Sequence, residues 1–396
     1  MTAATQRIDV IDALRGLALL GILMVNILVF ATPYYATDLP DPAVRSAFDR
    51  GLYAVVTLFF ETKFYLLFSF LFGYSFTLQM TAAARARTSF RPRMLRRLLG
   101  LALIGVLHAV LLYHGEILTI YALLGLVLLL AEHWDARKAW RVALALLGIN
   151  ALVWFVLSGL AFADPGAFAI NASEELKEAH HKITGFTGPP ARVIEEHWRQ
   201  YRLTWPVLMA LQGVNALAAF LLGFAAGKQE FFKNPGLLHR LNKLLGITLV
   251  AGLLGAVAYT FSVHGNVGAP WQVLGFALDT LTAPFLTASY VALFLLVWQQ
   301  QATKLNWLAP AGRMALSNYL GQSLTCSLVF HGYGLKLIGQ MSIEATIGVA
   351  LCVFAVQVGW SRWWLRRFRY GPAEWVLRAV TTLKVPAMRR MEEAGA

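Results

Sequence analysis

The sequence predicts an all-α protein: a polytopic membrane helix bundle of about ten transmembrane helices with both termini cytoplasmic. Three observations predict it. Apolar residues make up 58% of the 396 and charged residues only 14%, whereas a soluble domain averages about 25% charged. Ten apolar runs are long enough to cross a bilayer as helices. Lysine and arginine gather on alternate loops. The composition also excludes a disordered chain. Two cysteines, Cys326 and Cys352, each lie inside an apolar run, which suits small buried residues and not a disulfide framework.

The runs span about 14–34, 64–82, 98–113, 117–132, 142–163, 206–226, 244–263, 271–297, 314–330 and 344–361. The first is too long for the apolar part of a signal peptide and carries Arg15 near its start, so it is expected to stay as a membrane helix. With the N-terminus inside, 25 of the 34 lysines and arginines fall on cytoplasmic segments. The net charge of +13 is then topology, and no nucleic acid is expected as a partner. The tail, 362–396, mixes tryptophan with arginine, as the headgroup layer favours, so membrane lipids are expected partners. The whole chain, 1–396, reads as one transmembrane domain.

Two outer loops are long, 35–63 and 164–205. The first holds Asp38, Pro40, Asp41 and Pro42, then an amphipathic stretch. The second carries a turn cluster at Gly185–Pro190, then Ala191–Leu203 with Glu195, Glu196, His197, Trp198 and Tyr201 at helical spacing. That segment reads either as a helix over an outward-facing cavity or as an ordinary loop helix. Gly223-x-x-x-Gly227, and Ser69 four before Gly73, supply small residues for helix contacts and permit a homodimer.

Polar groups inside spans are expensive and mark candidate sites. Asp12 and Arg15, at i,i+3 on the first helix, can pair. They serve either as a structural anchor or as a contact for a ligand phosphate. His108 lies near the outer end of the third span, with His114 and Glu116 following. Asp279 lies at similar depth in the eighth span. Glu61, Lys63, Gln212, Asn215 and Asn26 fall in the same half or the middle, which suggests a polar cavity opening outward. A histidine there can take and return a proton, with a carboxylate orienting it. His108, Glu116 and Asp279 are the candidate catalytic residues. Asp12, Arg15, Asn26, Arg313, Asn318, Tyr319 and Gln322 are the candidate binding residues. Asn318 and Gln322, four apart, line either a cavity or a helix–helix contact. No HxxxH or HExxH occurs, and no metal is expected.

Several motifs resemble one family. Arg7-Ile8-x-x-Ile11-Asp12-Ala13-Leu14-Arg15-Gly16 with Asn26 downstream, Phe68-Ser69-Phe70-Leu71-Phe72-Gly73, and Gly105-Val106-Leu107-His108 with Gly115-Glu116-Ile117-Leu118 resemble the YeiB-like family of bacterial membrane proteins. So do Gly312-Arg313-Met314-Ala315-Leu316-Ser317-Asn318-Tyr319 and Gly371-Pro372-x-Glu374-Trp375-x-x-Arg378. The family usually has Asp where this chain has Glu116. More distantly it resembles the transmembrane acyltransferases that include heparan-α-glucosaminide N-acetyltransferase.

That distant resemblance implies transfer of an acyl group from cytosolic acyl-CoA, with acetyl-CoA the expected donor. The acceptor would be an envelope glycan, lipid or small metabolite reached from the outer side of the bacterial inner membrane. The eukaryotic enzyme's catalytic histidine lies between its first two helices, where this chain has none. The role of His108 therefore rests on the residues alone. The alternative is a proton-coupled transporter in which His108 and Asp279 carry the proton.

Overall fold

The computed structural model describes residues 3–390 apart from Asp38, Ala169 and Ile170, with the side chains of residues 3–8 left aside. Asp38 and the side chain of Arg7, both noted above, lie outside the described residues, as does the end of the tail. The described residues form helices α1 (Ala3–Ala31), α2 (Ala47–Phe59), α3 (Lys63–Arg85), α4 (Phe90–Leu111) and α5 (Leu118–Leu130). Then come α6 (Ala136–Ala163), α7 (Ala172–Phe186), α8 (Pro190–Leu208), α9 (Val214–Lys228) and α10 (Pro235–His264). The last five are α11 (Ala269–Leu305), α12 (Ala309–Arg313), α13 (Ala315–Phe330), α14 (Ile343–Arg367) and α15 (Pro372–Thr382).

Eight helical stretches among the described residues are long and apolar enough to cross a membrane. The protein is a multi-pass membrane helix bundle. The expected fourth and ninth spans are shorter than anticipated. Helix α5 has 13 residues and α13 has 16, about 20 and 24 Å at 1.5 Å per residue, against a hydrocarbon layer of about 30 Å. Polar groups set these limits. The Glu116 carboxylate caps the start of α5, and His331 ends α13 in an extended conformation. The sixth span is not one regular helix. Pro206 near the end of α8 removes a backbone donor, and a π-helical turn at Met209–Gly213 joins α8 to α9.

Helix α1 is the central element and packs on α3, α12, α13 and α14. Helices α6 and α10 lie on the flank. Their Leu152, Ile247 and Leu254 are 63%, 71% and 67% exposed, as lipid-facing positions should be. The loop expected at 35–63 contains α2, begun by a reciprocal cap between Ser46 and Asp49. Asp49 also accepts the amide of Glu344 at 2.9 Å, which ties α2 to the start of α14. The turn cluster at 185–190 joins α7 to α8, with Pro190 at the first helical position.

Two backbone crossings set the spacing. A Cβ on Gly73 would lie 1.9 Å from the carbonyl oxygen of Phe220, and one on Gly223 would lie 1.9 Å from that of Phe70. Helices α3 and α9 thus touch backbone to backbone. A Cβ on Gly16 would meet the Leu308 carbonyl oxygen at 2.4 Å, and one on Gly312 the Asp12 oxygen at 1.8 Å. The Gly223 and Gly227 stripe is consumed inside the chain, because a Cβ on Gly227 would strike Thr77 at 2.1 Å. It is not a free surface for a homodimer.

Gly223→Ala and Gly312→Ala should each destabilise by at least about 1–3 kcal/mol, the usual range for overpacking. Gly148, with nothing within 4 Å of its Cβ position, is the control: Gly148→Ala should be neutral or mildly stabilising. Thermal unfolding in detergent reads all three.

Candidate functional site

Four buried histidines meet at the end of the bundle opposite the arginine-rich loops. His108 is on the last turn of α4, His114 on the segment after it, His197 on α8, and His331 just beyond α13. Their exposures are 2%, 7%, 0% and 1%. The rings of His197 and His331 lie 5.1 Å apart, and those of His114 and His197 6.1 Å apart. Phe186 stacks on His331 at 4.3 Å. Tyr319 of α13 sits 5.0 Å from His108, ring to ring.

Buried polar atoms are normally hydrogen-bonded. Here both ring nitrogens of His108 and of His197, Nδ1 of His114 and of His331, and the hydroxyls of Tyr319 and Tyr333 have no protein partner. That is a concentration of uncommitted donors and acceptors in one buried cluster, which makes it a candidate reaction or binding site. Burial pushes the His331 imidazole down to about 3. Burial and the nearby His197, Lys182 and Arg199 charges hold His114 well below its ordinary value. Both rings are therefore neutral near pH 7, each with one donor and one acceptor.

Glu116 supplies the fixed charge. Its carboxylate is fully buried and accepts from the amide of Leu118, from the amide of Thr119 at 2.8 Å and from the Thr119 hydroxyl at 2.9 Å. It caps α5 and cannot swing. Its Oε1 lies 3.7 Å from His108 Nδ1, which is ionic reach and not a hydrogen bond. Helix α8 packs over this cluster. The Tyr201 hydroxyl and the Trp205 indole donate to the Thr119 hydroxyl at 3.2 and 3.1 Å. Ala191–Leu203 is helical within α8 and lies over a buried polar cluster, not over the outward-facing cavity that one of its two readings expected.

Asp279 belongs to a second constellation. It pairs with Lys63 at 2.9 Å, both side chains almost wholly buried, and takes the Thr62 hydroxyl at 2.6 Å. Glu61 nearby accepts from Tyr35 at 3.0 Å and Tyr259 at 3.1 Å. The expected grouping of Asp279 with His108 is corrected, because Lys63 is the cation that neutralises it. Asn318 and Gln322 are also corrected as cavity residues. Asn318 Nδ2 donates to Ala311 O and Ser361 Oγ, each at 2.9 Å, and Gln322 donates to Gln357 at 3.0 Å. They stitch α13 to α12 and α14. Asn26 is half-buried on α1 and makes no side-chain hydrogen bond among the described residues.

At the arginine-rich end, Asp12 binds Arg15 at 2.6 Å and Arg313 at 3.3 Å, and Arg313 also binds Asp9. Arg15 reaches Ser75 at 2.6 Å. The pair expected from i,i+3 spacing is present, and Arg313 completes it. Arg15 is thus already engaged by protein. Next to it lies a cavity of about 120 Å³ lined by Gln79, Arg93, Arg97, Tyr370, Glu374, Arg378 and Thr381. Arg93 Nε is buried and unpartnered, and Arg97 has no hydrogen bond or ion pair among the described residues. The carboxylate of Glu374 is committed. It accepts the Leu316 and Ser317 amides at 2.7 and 3.1 Å and the Ser317 hydroxyl at 2.5 Å, capping α13. The cavity therefore carries excess positive charge. Sequence reasoning missed Arg93 and Arg97 because a basic run reads as topology. It also missed His331, whose only signal was its place at the end of a span. Among the described residues, no three or more His, Cys, Asp or Glu side chains are arranged so that they could hold a metal ion, these four histidines included.

The chain is 33% identical over 405 residues, 96% of each chain, to the uncharacterized protein YxaH of Bacillus subtilis (strain 168). It belongs to the YeiB-like family. Residues 226–384 match the family described as "Protein of unknown function (DUF418)". The uncharacterized protein YeiB of Escherichia coli (strain K12) is 28% identical over 388 residues, covering 94% of this chain and 95% of YeiB. An uncharacterized 39.9 kDa protein from the amylase 3′ region of Bacillus acidopullulyticus is 28% identical over 397 residues, 98% of each chain.

Two predictions follow from the buried charges and rings. Lys63→Met should destabilise by about 3–5 kcal/mol by leaving Asp279 buried and unpaired, while Lys63→Met with Asp279→Leu recovers most of it. A thermal-unfolding double-mutant cycle measures the recovery. His331 binds a proton less readily folded than unfolded, so stability falls as pH drops from 6.5 toward 3. His331→Gln should flatten that slope in pH-dependent melting.

Proposed function

We propose that this protein is an acyltransferase of the bacterial cytoplasmic membrane. It moves an acyl group from cytosolic acyl-CoA, acetyl-CoA being the simplest donor, to a hydroxyl or amine that approaches from the opposite side. One observation supports the reading: α4 carries a pair of arginines at one end and His108 at the other. Arg93 and Arg97 stand in the cationic cavity at its arginine-rich end. His108 stands eleven residues beyond Arg97, about 16 Å along the helix. An extended pantetheine arm covers that distance, so phosphates on the arginines would set the thioester near the imidazole.

The chemistry then uses the groups of the buried cluster. A nitrogen of His108 takes the proton as the acceptor oxygen or nitrogen attacks the thioester carbonyl. Glu116, fixed 3.7 Å from the ring, stabilises the imidazolium. The unpartnered Tyr319 hydroxyl is the available donor to the oxyanion, a role that the committed amides of Asn318 and Gln322 cannot fill. The intermediate collapses with cleavage of the C–S bond. The thiolate takes the proton back from His108, leaving acylated acceptor and free CoA. Burial of these side chains would keep water from the thioester.

The competing reading is a proton-coupled transporter, and the buried Lys63–Asp279 pair is the observation that favours it. Calorimetry with acetyl-CoA on the detergent-purified protein separates the two. Saturable binding is expected, weakened at least tenfold by Arg97→Gln. His108→Gln should leave binding intact and lower transfer by about 10²–10⁴-fold, the range for a general base. No binding of acetyl-CoA, longer acyl-CoA or CoA would sink acyl transfer in favour of proton-driven transport, read in proteoliposomes.

A further inference from the structure

A second and larger cavity, about 650 Å³, lies between α3, α6, α9, α10 and α11. Its wall is almost entirely apolar. Its mouth is at the arginine-rich end, where Arg137 and Arg141 of α6 and Arg240 of α10 line it together with Trp140. All three arginines are exposed, and none has a hydrogen bond or ion pair among the described residues. The far end is marked by Asn215 and Thr287. Pro284 of α11 leaves the Thr280 carbonyl without its helical donor. Asn215 Nδ2 points to that carbonyl at 3.5 Å, and Asn150 donates to the Asn215 oxygen at 3.0 Å. The polar far end is therefore occupied by internal bonds, and what remains free is the hydrocarbon wall and the cationic rim.

We infer that this cavity binds an anionic phospholipid of the surrounding membrane, with its phosphate on the three arginines and an acyl chain inside. The charge pattern selects the class: three unpaired guanidiniums at headgroup level attract a lipid phosphate, and the apolar wall excludes a free polar anion from the interior. The length agrees. From Gln229 at the mouth to Asn215 is fourteen residues along α9, about 21 Å, more than the depth of one leaflet of a hydrocarbon layer about 30 Å thick. Access is lateral, because α6 and α10 are the helices with the most lipid-exposed flanks. The site stands apart from the cationic cavity and the histidine cluster of α4 and holds whether or not the protein transfers acyl groups.

Native mass spectrometry of the full chain, delipidated in detergent and titrated with phosphatidylglycerol or phosphatidylcholine, tests it. The wild type should retain one phosphatidylglycerol under activation that strips phosphatidylcholine. The triple variant Arg137→Gln, Arg141→Gln, Arg240→Gln should bind it at least tenfold more weakly, since each basic side chain at an anionic headgroup contributes roughly fivefold. Ala288→Phe fills the cavity without touching the charges and should lose the same lipid. Acetyl-CoA binding should be unchanged in both variants, which keeps this test separate from the acyl-transfer reading. Equal retention of the two lipids by the wild type overturns the inference and requires no variant to fold. So does undiminished phosphatidylglycerol binding in either variant.

Discussion

Backbone contact at four glycines is the constraint on which the rest of the structure hangs. With no Cβ at Gly16, Gly73, Gly223 or Gly312, helices approach until a carbonyl oxygen of one occupies the space a methyl would fill in the other. The α1–α12 contact brings Arg313 onto Asp9 and Asp12. The α3–α9 contact sets the wall from which the 650 Å³ cavity opens. Lipid supplies little hydrophobic force between helices. Close packing and buried polar bonds must hold the bundle, and both concentrate at these crossings.

Carboxylates do the complementary work. Glu116 closes the start of α5, Glu374 the start of α13, and Asp49 the starts of α2 and α14. Each satisfies backbone donors that would otherwise face a medium without water. In Glu116 this role sits beside the chemical one proposed above. The bonds that cap α5 also hold its charge beside His108, so the helix end and the candidate base share one anchor.

The membrane class, most span positions and the amphipathic outer helices were legible in the sequence, because hydropathy and the placement of arginine report them directly. The Asp12–Arg15 pair was legible from helical spacing. What failed were inferences that needed distance across the fold. Asp279 and His108 share a depth, but depth does not fix the direction a side chain faces, and Lys63 claimed Asp279. Asn318 and Gln322 form a stripe whose spacing suits a cavity and a helix contact equally, and the Ser361 and Gln357 partners lie 43 and 35 residues away. Arg93 and Arg97 were hidden by their company, since each arginine in a basic loop reads alike until the fold shows which ones lack a counter-charge.

The shortness of α5 has a consequence for the lipid. Its 13 residues rise about 20 Å, against a hydrocarbon layer about 30 Å thick. The difference is made up by protein. Tyr201 and Trp205 of α8 donate to Thr119 on the first turn of α5, and the Glu116 carboxylate closes its first amides. The polar end of the short helix therefore meets side chains and not hydrocarbon, and the bilayer need not thin to match it.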